Sequence, residues 1–391
     1  RMLDLAKAKV AIGDWDEGGS ALLTTATLAA TTDLPTTPLP DHIPQYARLI
    51  ATSGSTGRPK IIVTSAPGLI SSDRTLSQLV GPETGKIYLT ASPLYHTNGF
   101  ASCYMPLLDD HAVVLMQRFD AERAAGLIEK HHVQMTVMVP TMLQRVARLD
   151  DIKSRDFSSI ERLVYGGASV PEWVVRIWLD LIGPAHFLLT YGSSEAVGLV
   201  STTGVQWLER PGTTGQPMDC ELKILDEEGK ELPPREVGEI FMRKLIEEPP
   251  FQYIGQETPA PTDDGFRSIG DMGWVDEDGF LYISDRRQDM LITGGANVFP
   301  AEIEAALSEH PGLVDFVVIG IPDQEWGHRI HAIVQPADPA NPPTEDDLRA
   351  HCKERLASYK VPKAFEIMDQ LPRSAAGKIN RSALVAERTP A

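Results

Sequence analysis

The sequence predicts an α/β protein with a large N-terminal domain of mostly parallel sheet with helices, a β-rich subdomain inside that domain, and a small mobile α+β C-terminal domain. Three observations support this prediction. Between residues 46 and 190, short apolar runs alternate with segments of helical periodicity, which is typical of a parallel sheet covered by helices. After residue 200, turn signals and short strand candidates replace the helices. Beyond Gly295, helix and strand patterns return in a compact set.

The length of 391 residues exceeds what one hydrophobic core usually serves, so we expect at least two domains. We place the large domain at residues 1–285, with its β-rich part at 200–285, and the small domain at 286–391. The charged cluster from Ser284 to Asp289 lies between two apolar stretches, which makes residues 286–289 the expected hinge.

The elements follow in chain order. Residues 1–17 are expected to form a helix leading into a strand at 9–13, and residues 18–40, rich in Thr, Ala and Pro, a mobile linker or surface loop. The predicted strands of the parallel sheet are 46–51, 87–91, 112–116, 133–139, 161–165 and 186–190, and the predicted helices are 66–80, 98–108, 120–131, 141–149 and 171–182. The β-rich part has predicted strands 220–225, 237–243 and 280–283. The C-terminal part has predicted strands 313–321 and 330–335, a helix from Pro300 and a helix at 345–357.

Composition excludes several classes of function. A formal net charge of −18 argues against a general nucleic-acid surface and against docking on anionic lipid. No apolar run approaches the roughly 18 residues that a membrane span needs. The three cysteines have no metal-site spacing, so we expect reduced thiols in a cytoplasmic protein. The oligomeric state is open, with a homodimer as one option.

The segment from Thr52 to Lys60 has the composition of a phosphate-binding loop. It follows an apolar run and combines glycines, hydroxyl residues and cations. Glycine lets backbone N–H groups turn inward around an anion, hydroxyls add donors, and Lys60 adds a charge. The spacing does not fit the P-loop of nucleotide hydrolases. A flexible surface loop has the same composition, so this segment alone leaves both readings open. Its candidate ligand-binding residues are Thr52, Ser53, Gly54, Ser55, Thr56, Gly57 and Lys60.

Two further candidates follow predicted strands. The first is Tyr191, Gly192, Ser193, Ser194 and Glu195. In doubly wound folds ligands bind at the carboxyl ends of strands, and a lone carboxylate there can hold a divalent cation. A solvated glutamate after a turn is the alternative.

The second such candidate is Gly166, Gly167 and Ala168. Small side chains let a flat ring or a thin substrate approach the backbone. A tight turn is the alternative.

Three single residues are weaker candidates. Asp271 stands between glycines, where its carboxylate could reach a ribose diol, although such sequences usually form turns. His96 follows a predicted strand and either lines a pocket or is structural. Lys378 follows Gly377 near the C-terminus, where its charge could reach a transferring phosphoryl or acyl group. An isolated solvated lysine is the alternative.

Taken together and in order, these segments resemble the adenylate-forming superfamily of acyl-CoA ligases, nonribosomal adenylation domains and luciferases. The resemblance extends from about residue 45 to 385. It implies that Thr52–Lys60 is the phosphate loop and that Tyr191–Glu195 is the Tyr-Gly-x-Thr-Glu motif, with Ser194 in the Thr place. The implied catalytic residues are Lys378, Lys60, Glu195 and His96, and the implied Mg²⁺ ligands are Glu195 and Thr56. The implied nucleotide-binding residues include Gly166, Gly167, Ala168, Asp271, Ile283 and Arg286. The implied hinge residue is Gln288.

The resemblance also implies an activity. A carboxylic acid reacts with ATP to give an acyl-adenylate and pyrophosphate, and the thiol of CoA then displaces AMP. The implied cofactors are ATP, Mg²⁺ and CoA. The motifs look most like those of ligases acting on bulky apolar acids, such as steroid, bile-acid or terpenoid carboxylates.

Two departures from the family pattern leave alternatives open. Family members usually carry roughly a hundred more residues before the phosphate loop, so we expect this chain to lack the first segment of the large domain. The hinge position usually holds Asp or Lys, and here it holds Gln288. The alternatives are an enzyme with only one half-reaction, a domain that loads a carrier protein, and a nucleotide-binding relative without turnover.

Overall fold

The structure is a computed structural model that describes residues 49–52, 60–64, 81, 84–167, 170–246, 250–373 and 379–389, together with the backbone of 10–12 and 21–23. The strands, in chain order, are β1 (Val10–Ile12), β2 (Ala21–Leu23), β3 (Leu49–Thr52), β4 (Lys60–Val63), β5 (Ile87–Thr90), β6 (Ala112–Leu115), β7 (Met135–Met138), β8 (Arg162–Gly166), β9 (Phe187–Gly192), β10 (Leu199–Thr203), β11 (Gln216–Pro217), β12 (Cys220–Leu225), β13 (Gly238–Lys244), β14 (Gln252–Ile254), β15 (Asp271–Val275), β16 (Leu281–Arg286), β17 (Leu291–Thr293), β18 (Ala296–Val298), β19 (Leu313–Asp323), β20 (Gly327–Pro336) and β21 (Ala364–Ile367).

The α-helices, in chain order, are α1 (Thr97–Leu108), α2 (Ala121–His131), α3 (Pro140–Ala147), α4 (Glu172–Ile182), α5 (Gly204–Glu209), α6 (Pro300–Ser308), α7 (Glu345–Arg355) and α8 (Arg381–Arg388). Within the described ranges, no helix is both long and apolar enough to cross a membrane.

By its internal contacts the chain divides into two compact units. The first comprises Arg1–Ile70 and Glu247–Pro259, and the second comprises Ser71–Ile246 and Ala260–Ala391. The boundary expected at residues 285 and 286 lies inside the second unit and stays a prediction.

The described residues of the first unit form two small sheets. Strands β1 and β2 pair in parallel, so part of the segment expected to be a linker at 18–40 forms a strand instead, and the linker prediction is wrong there. Strands β3, β4 and β14 form an antiparallel sheet with β4 in the middle. The backbone hydrogen bonds of β4 therefore have partners on both sides.

The second unit is built around a seven-stranded sheet in the order β11-β10-β9-β8-β7-β5-β6, here called the large sheet. Strands β5 to β9 run parallel, and β10 and β11 are antiparallel. Helices α1 to α4 each lie between two successive parallel strands, as the alternating pattern predicted. The predicted strands between 87 and 190 and the helices between 98 and 182 are confirmed to within a few residues.

Apolar side chains of the parallel strands and their helices form the main core. Trp178 of α4, Phe187 of β9 and Leu163 of β8 are fully buried there, and the indole N–H of Trp178 donates to the carbonyl of Leu143 at 3.1 Å. Burial of each such side chain contributes roughly 1.5–3 kcal/mol. This core fixes the strand ends that carry the candidate site.

The β-rich part is a four-stranded antiparallel sheet in the order β12-β13-β15-β16. It contains the predicted strands and adds β15, which the sequence did not predict. The expectation that helices disappear after residue 200 is wrong at α5, which begins with a capping box between Thr203 and Gln206.

The C-terminal subdomain, residues 291–389, is an α+β unit as predicted. Its five-stranded sheet has the order β18-β17-β20-β19, with β21 parallel to β20. The predicted helices at 300 and 345 and the two long strands are confirmed, whereas β21 and α8 were not predicted. Its core includes Ile303, Leu307 and Leu348.

Candidate active site

The carboxyl ends of four neighbouring parallel strands lie at one edge of the large sheet. Strands β9, β8, β7 and β5 are adjacent and parallel, so the segments that follow them begin side by side. Three of these segments contain residues that the sequence singled out, namely His96, Gly166–Gly167 and Tyr191–Glu195. Ligands of doubly wound sheets bind at this edge, which makes it the candidate active site.

The two glycines at the end of β8 are required by the backbone around them. A Cβ on Gly166 would lie 2.8 Å from Thr190 Oγ1 and 2.9 Å from the Thr190 carbonyl oxygen, because the two residues are paired across β8 and β9. Gly167 has φ +100°, which side chains rarely adopt. The third residue of this group, Ala168, lies outside the described residues.

Asp271 is a buried carboxylate with two partners. The hydroxyl of Tyr191 donates to Asp271 Oδ2 at 2.8 Å, and Arg286 Nε lies 3.4 Å from Asp271 Oδ1. The register of β15 and β16 places Asp271 directly opposite Arg286. Asp271 is thus the first residue of a strand, and the turn that such sequences usually form is not the structure at this residue. The structure brings three sequence-predicted residues together.

Burial and neighbouring charges shift the pKa values of Asp271 and Tyr191. Burial raises the pKa of the Asp271 carboxyl, whereas the Arg286 charge and the Tyr191 hydrogen bond oppose this rise, and Glu195 adds to it. Burial and the Asp271 charge raise the pKa of Tyr191 well above its usual range. Tyr191 therefore remains a hydrogen-bond donor at physiological pH, and Asp271 keeps acceptor capacity for further hydroxyl donors.

A hydroxyl pair connects the turn after β9 with helix α1. Thr97 Oγ1 and Ser194 Oγ lie 2.6 Å apart. Glu195 follows directly and is half-buried, and His96, also half-buried, precedes Thr97. The His96 ring lies 4.5 Å from the Tyr95 ring, centroid to centroid. His96, Ser194 and Glu195 therefore belong to neighbouring segments of the same edge.

Glu195 is the candidate metal ligand at this edge of the large sheet. Within the described ranges, no group of three or more His, Cys, Asp or Glu side chains is placed to hold a metal alone. Mg²⁺ is commonly held by one or two carboxylates together with substrate phosphates and water. A single half-buried carboxylate at a strand end fits that mode of binding.

The phosphate-loop candidate lies in the first unit. Thr52 ends β3 and Lys60 begins β4, and the register pairs them across an antiparallel hairpin. The sequence predicted only the first strand of this hairpin. Lys60 Nζ lies 3.6 Å from the centroid of the Tyr253 ring. The loop residues Ser53, Gly54, Ser55, Thr56 and Gly57 lie outside the described residues.

The remaining candidates lie near the expected hinge and in the C-terminal subdomain. Ile283 is half-buried on β16 and pairs with Gly273. Gln288 is exposed in a turn closed by hydrogen bonds from the N–H groups of Asp289 and Met290 to the Arg286 carbonyl, at 3.0 and 3.1 Å. Lys378 lies outside the described residues, and a β-bridge between Arg373 and Ile379 flanks its segment.

Three residues near these candidates were missed by sequence reasoning. Thr97 and Asp285 each stand next to a residue that was singled out, so their neighbours were an available signal. Burial raises the pKa of Asp285 to about 6, opposed by hydrogen bonds from the backbone N–H groups of Ala301 and Arg286. Tyr253 is far from Lys60 in the sequence, and no local pattern indicates their contact.

Two family models match the chain. The model described as AMP-binding enzyme matches residues 5–245. The chain belongs to this family. The model described as AMP-binding enzyme C-terminal domain matches residues 302–378. These matches confirm the adenylate-forming superfamily that the motifs resemble, and the chain is an enzyme of that superfamily.

Curated relatives of the chain include acid–CoA ligases, an acyl-CoA synthase and a fatty acid–[acyl-carrier-protein] ligase. It is 34% identical to the 2-succinylbenzoate–CoA ligase of Bacillus licheniformis over 348 residues, covering 88% of this chain and 70% of the relative. It is 34% identical to a feruloyl-CoA synthase of Amycolatopsis sp, covering 87% and 70%. It is 33% identical to the fatty acid–[acyl-carrier-protein] ligase ScoC of Streptomyces coeruleorubidus, covering 85% and 66%.

Solved structures confirm the fold class. The o-succinylbenzoate CoA synthetase MenE of Bacillus subtilis, in complex with its acyl-adenylate OSB-AMP, matches with a TM-score of 0.83 and 28% identity, covering 98% of this chain and 79% of the other. ATP-bound MatB of Rhodopseudomonas palustris matches with a TM-score of 0.81 and 26% identity, covering 99% and 80%.

Proposed function

We propose that this AMP-binding enzyme is an AMP-forming acid–CoA ligase that converts a bulky apolar carboxylic acid to its acyl-CoA through an acyl-adenylate. The observation that carries this proposal is the contact of buried Asp271 with buried Tyr191 and with exposed Arg286, beside the strand ends of the large sheet. A carboxylate so placed accepts hydrogen bonds from the two ribose hydroxyls of ATP, and Arg286 adds a donor to the same sugar. Gly166 and Gly167 leave room for the flat base nearby.

The phosphates of ATP need charge neutralisation and alignment more than a protein nucleophile. We assign this role to the segment Thr52–Lys60 and to Glu195. Mg²⁺, with Glu195 and Thr56 as its protein ligands, supplies positive charge to the phosphates when bound. Thr97 positions Ser194, which precedes Glu195, through the 2.6 Å contact between the Thr97 and Ser194 hydroxyls.

The acid is assigned to the segments that follow β5, β7, β8 and β9, that is, 94–104, 138–143, 165–170 and 191–200. Leu94, Tyr95 and Tyr104 are large apolar residues with 45, 62 and 43% of their surface exposed. Exposed aromatic and aliphatic surface beside a ligand edge suits an apolar acyl group. Relatives named for 2-succinylbenzoate and ferulate are consistent with an acid of this kind.

The two half-reactions need different surroundings for the adenylate. The carboxylate of the acid first attacks the α-phosphate and releases pyrophosphate, and the CoA thiol then attacks the acyl carbon and releases AMP. We assign Lys378 to the first step, where its charge bridges carboxylate and α-phosphate. A rotation of residues 286–391 about Gln288 then removes Lys378 and admits the thiol. The exposed turn at Gln288 suits such a hinge.

The thiol acceptor and the cellular location belong to the same proposal. CoA is the acceptor that most of the named relatives suggest, while the similarity to a fatty acid–[acyl-carrier-protein] ligase favours a carrier protein as the second candidate. Cys103, Cys220 and Cys352 are free thiols, which agrees with a reducing compartment such as the cytoplasm.

The test is a product analysis with a panel of acids. The purified chain is incubated with ATP, Mg²⁺, CoA and 2-succinylbenzoate, ferulate, a long-chain fatty acid or a bile acid, and AMP, pyrophosphate and acyl-CoA are followed by mass spectrometry. Acyl-CoA formed with stoichiometric AMP supports the proposal and ranks the acids. Adenylate without thioester points to a carrier-protein acceptor, and no product from any acid contradicts the proposed activity.

A lysine variant separates the two half-reactions. Lys378→Ala is expected to lower adenylate formation more than tenfold, because one positive charge is lost where the α-phosphate charge develops. The same variant should form thioester from a supplied acyl-adenylate at the wild-type rate. Pyrophosphate exchange and thioester formation are measured separately, and equal losses in both would exclude this role for Lys378.

A further inference from the structure

An arginine beside the large sheet reaches into the C-terminal subdomain. Arg148 follows helix α3 and donates from Nη1 to the carbonyl of Val314 and from Nη2 to the carbonyl of Ser308, both at 3.1 Å. Ser308 is the last residue of α6, and Val314 lies at the start of β19. A guanidinium suits this place because the carbonyls at a helix C-terminus carry partial negative charge.

A tryptophan from the next helix adds a second contact at the same point. Trp173, in the first turn of α4, donates from its indole N–H to Ser308 Oγ at 3.3 Å, and the Arg148 guanidinium lies 5.2 Å from the centroid of its ring. Ser308 is buried, and its hydroxyl donates to the carbonyl of Ala305 at 2.6 Å. The ring, the guanidinium and the end of α6 thus form one contact region, which we call the dock.

The strand held at the dock also binds Arg373, the described residue that directly precedes 374–378, here called the lysine segment because it contains Lys378. Asp315, next to Val314, receives two hydrogen bonds from Arg373, one from Nε at 2.6 Å and one from Nη2 at 2.7 Å. Arg373 also donates to the carbonyl of Phe316 at 3.3 Å, and it pairs with Ile379 in the bridge that flanks residues 374–378.

The dock and this clamp are electrostatically coupled. Burial lowers the pKa of the Arg148 guanidinium, and the charge of Asp315 opposes this effect. Asp315 therefore faces two arginines, one beside the large sheet and one at the base of the lysine segment. A planar guanidinium donates to two acceptors in a fixed geometry, so the position of Val314 is restrained more tightly than by a lysine.

We propose that Arg148 and Trp173 are positioning residues for adenylate formation, because they dock the end of α6 and the start of β19 and so fix the Asp315–Arg373 pair, and Arg373 directly precedes the segment that contains Lys378. This inference rests on the proposed function. In the proposed function the C-terminal subdomain rotates between the two half-reactions, and we assign the docked position to the first. Loss of the dock therefore slows adenylate formation and leaves thioester formation unimpaired.

The test compares variants that weaken the dock with a matched control on the same helix. Arg148→Ala removes both carbonyl contacts, Trp173→Phe removes the indole N–H but keeps a ring, and Arg148→Lys keeps the charge without the fork. The control is Arg145→Ala, which removes an exposed arginine one turn earlier on α3. Each protein is assayed for pyrophosphate exchange, for thioester formation from supplied acyl-adenylate, and for its urea midpoint.

The expected result is a split between the half-reactions. Arg148→Ala should lower pyrophosphate exchange roughly 10- to 100-fold, since misplacing a catalytic group by about 1 Å has effects of that size, while thioester formation is unchanged or faster. Arg148→Lys should recover part of the loss, and Arg145→Ala should behave as wild type. Equal losses in both half-reactions, or a loss only in thioester formation, would overturn the inference.

Hydrogen–deuterium exchange tests the dock without depending on the proposed ligase activity. Hydrogen–deuterium exchange of the wild type, Arg148→Ala and Arg145→Ala is followed by mass spectrometry in peptides that cover 300–320 and 365–385. Faster exchange of both regions in Arg148→Ala alone supports the dock whether or not any acid is turned over. Unchanged exchange would overturn it even if the ligase activity is confirmed.

Discussion

At the scale of single residues, the central feature is a carboxylate that is buried and still equipped to accept hydrogen bonds. Burial disfavours the charged form of Asp271, and the contacts from Tyr191 and Arg286 offset part of that cost. The hydroxyl of Tyr191 therefore holds one carboxylate oxygen of Asp271 in place and favours ionisation of that carboxyl group.

Removal of this hydroxyl gives the first residue-scale prediction. Tyr191→Phe deletes one hydrogen bond to a charged acceptor, and such bonds contribute about 1.5–3 kcal/mol, so the Kd for AMP should rise roughly 10- to 100-fold. Because the hydrogen bond lowers the pKa of Asp271, its loss raises that pKa, and AMP binding should weaken at a higher pH than in the wild type as the solution is acidified.

The measurement is calorimetric titration of AMP between pH 5 and 8. Tyr282→Phe serves as the control, since Tyr282 stacks on Trp274 with ring centroids 4.0 Å apart on the strands that carry Asp271 and Arg286. An AMP affinity and pH profile identical to the wild type in Tyr191→Phe would show that the hydroxyl has no part in nucleotide binding.

At the scale of elements, the start of helix α1 is set by one glycine. A Cβ on Gly99 would lie 2.1 Å from the carbonyl oxygen of Pro93 and 2.6 Å from that of Ser92. Both neighbours are backbone atoms that cannot move aside without shifting the segment after β5. His96 and Thr97 belong to this segment, so the close approach at Gly99 positions two candidate site residues.

A pair of glycine substitutions tests this account. Gly99→Ala should lower the free energy of unfolding by about 1–3 kcal/mol through overpacking, and should reduce activity as His96 and Thr97 shift. Gly126→Ala is the matched control, because Gly126 lies inside α2 and a Cβ added there would meet nothing within 4 Å, and alanine favours a helix interior by about 0.5–1 kcal/mol. Urea unfolding of both variants should give shifts of opposite sign. Two shifts of the same sign would refute the close-approach argument.

Most elements were predictable from the sequence because their signals are local. The alternation of apolar runs and helical periods gave strands β5 to β9 and helices α1 to α4 to within a few residues. Strand β4 was missed because it directly follows a loop that dominates its surroundings, and α5 was missed because six residues are too few to show a helical period. Strand β2 lies in a Thr- and Ala-rich stretch. Its pairing with β1 produces no pattern in the local sequence that would predict a strand.

The candidate site was predictable as a set of residues and not as a geometry. Motif order indicated Asp271, Arg286 and Tyr191, yet the contact of Tyr191 with Asp271 joins two sheets and residues 80 positions apart. The contact of Lys60 with Tyr253 and that of Arg148 with Ser308 likewise depend on how distant segments pack. Local propensity and spacing contain no information on such pairs.

At the scale of the whole molecule, helix α6 connects the β-rich part and the large sheet with the C-terminal subdomain. Its N-terminus contacts Asp285, whose Oδ2 accepts from the N–H of Ala301 at 2.9 Å. Its C-terminus contacts Arg148 through Ser308. An anion at the start of a helix and a cation at its end both match the helix dipole, but at Asp285 the cost of burying the carboxylate outweighs this match.

The Asp285 contact has a pH dependence that can be measured on the entire chain. Burial raises the pKa of Asp285 from its ordinary 3.8 to about 6, with Arg381 opposing the rise and Glu304 adding to it. Between about pH 4 and 6 the folded protein keeps a proton that the unfolded chain has released. The contribution of Asp285 to stability is therefore greatest below pH 4 and falls as the pH rises through that window, by at most about 3 kcal/mol.

Asp285→Asn removes this titration. The free energy of unfolding of the variant, measured in urea at intervals from pH 4 to 7, should increase relative to that of the wild type as the pH rises, and the difference should level off above about pH 6.5. Asp346→Asn, an exposed change in α7, is the control and should keep the wild-type slope. Parallel curves for the wild type and Asp285→Asn would mean that the carboxylate is not the group that titrates here, and that α6 is joined to the β-rich part by contacts independent of its charge.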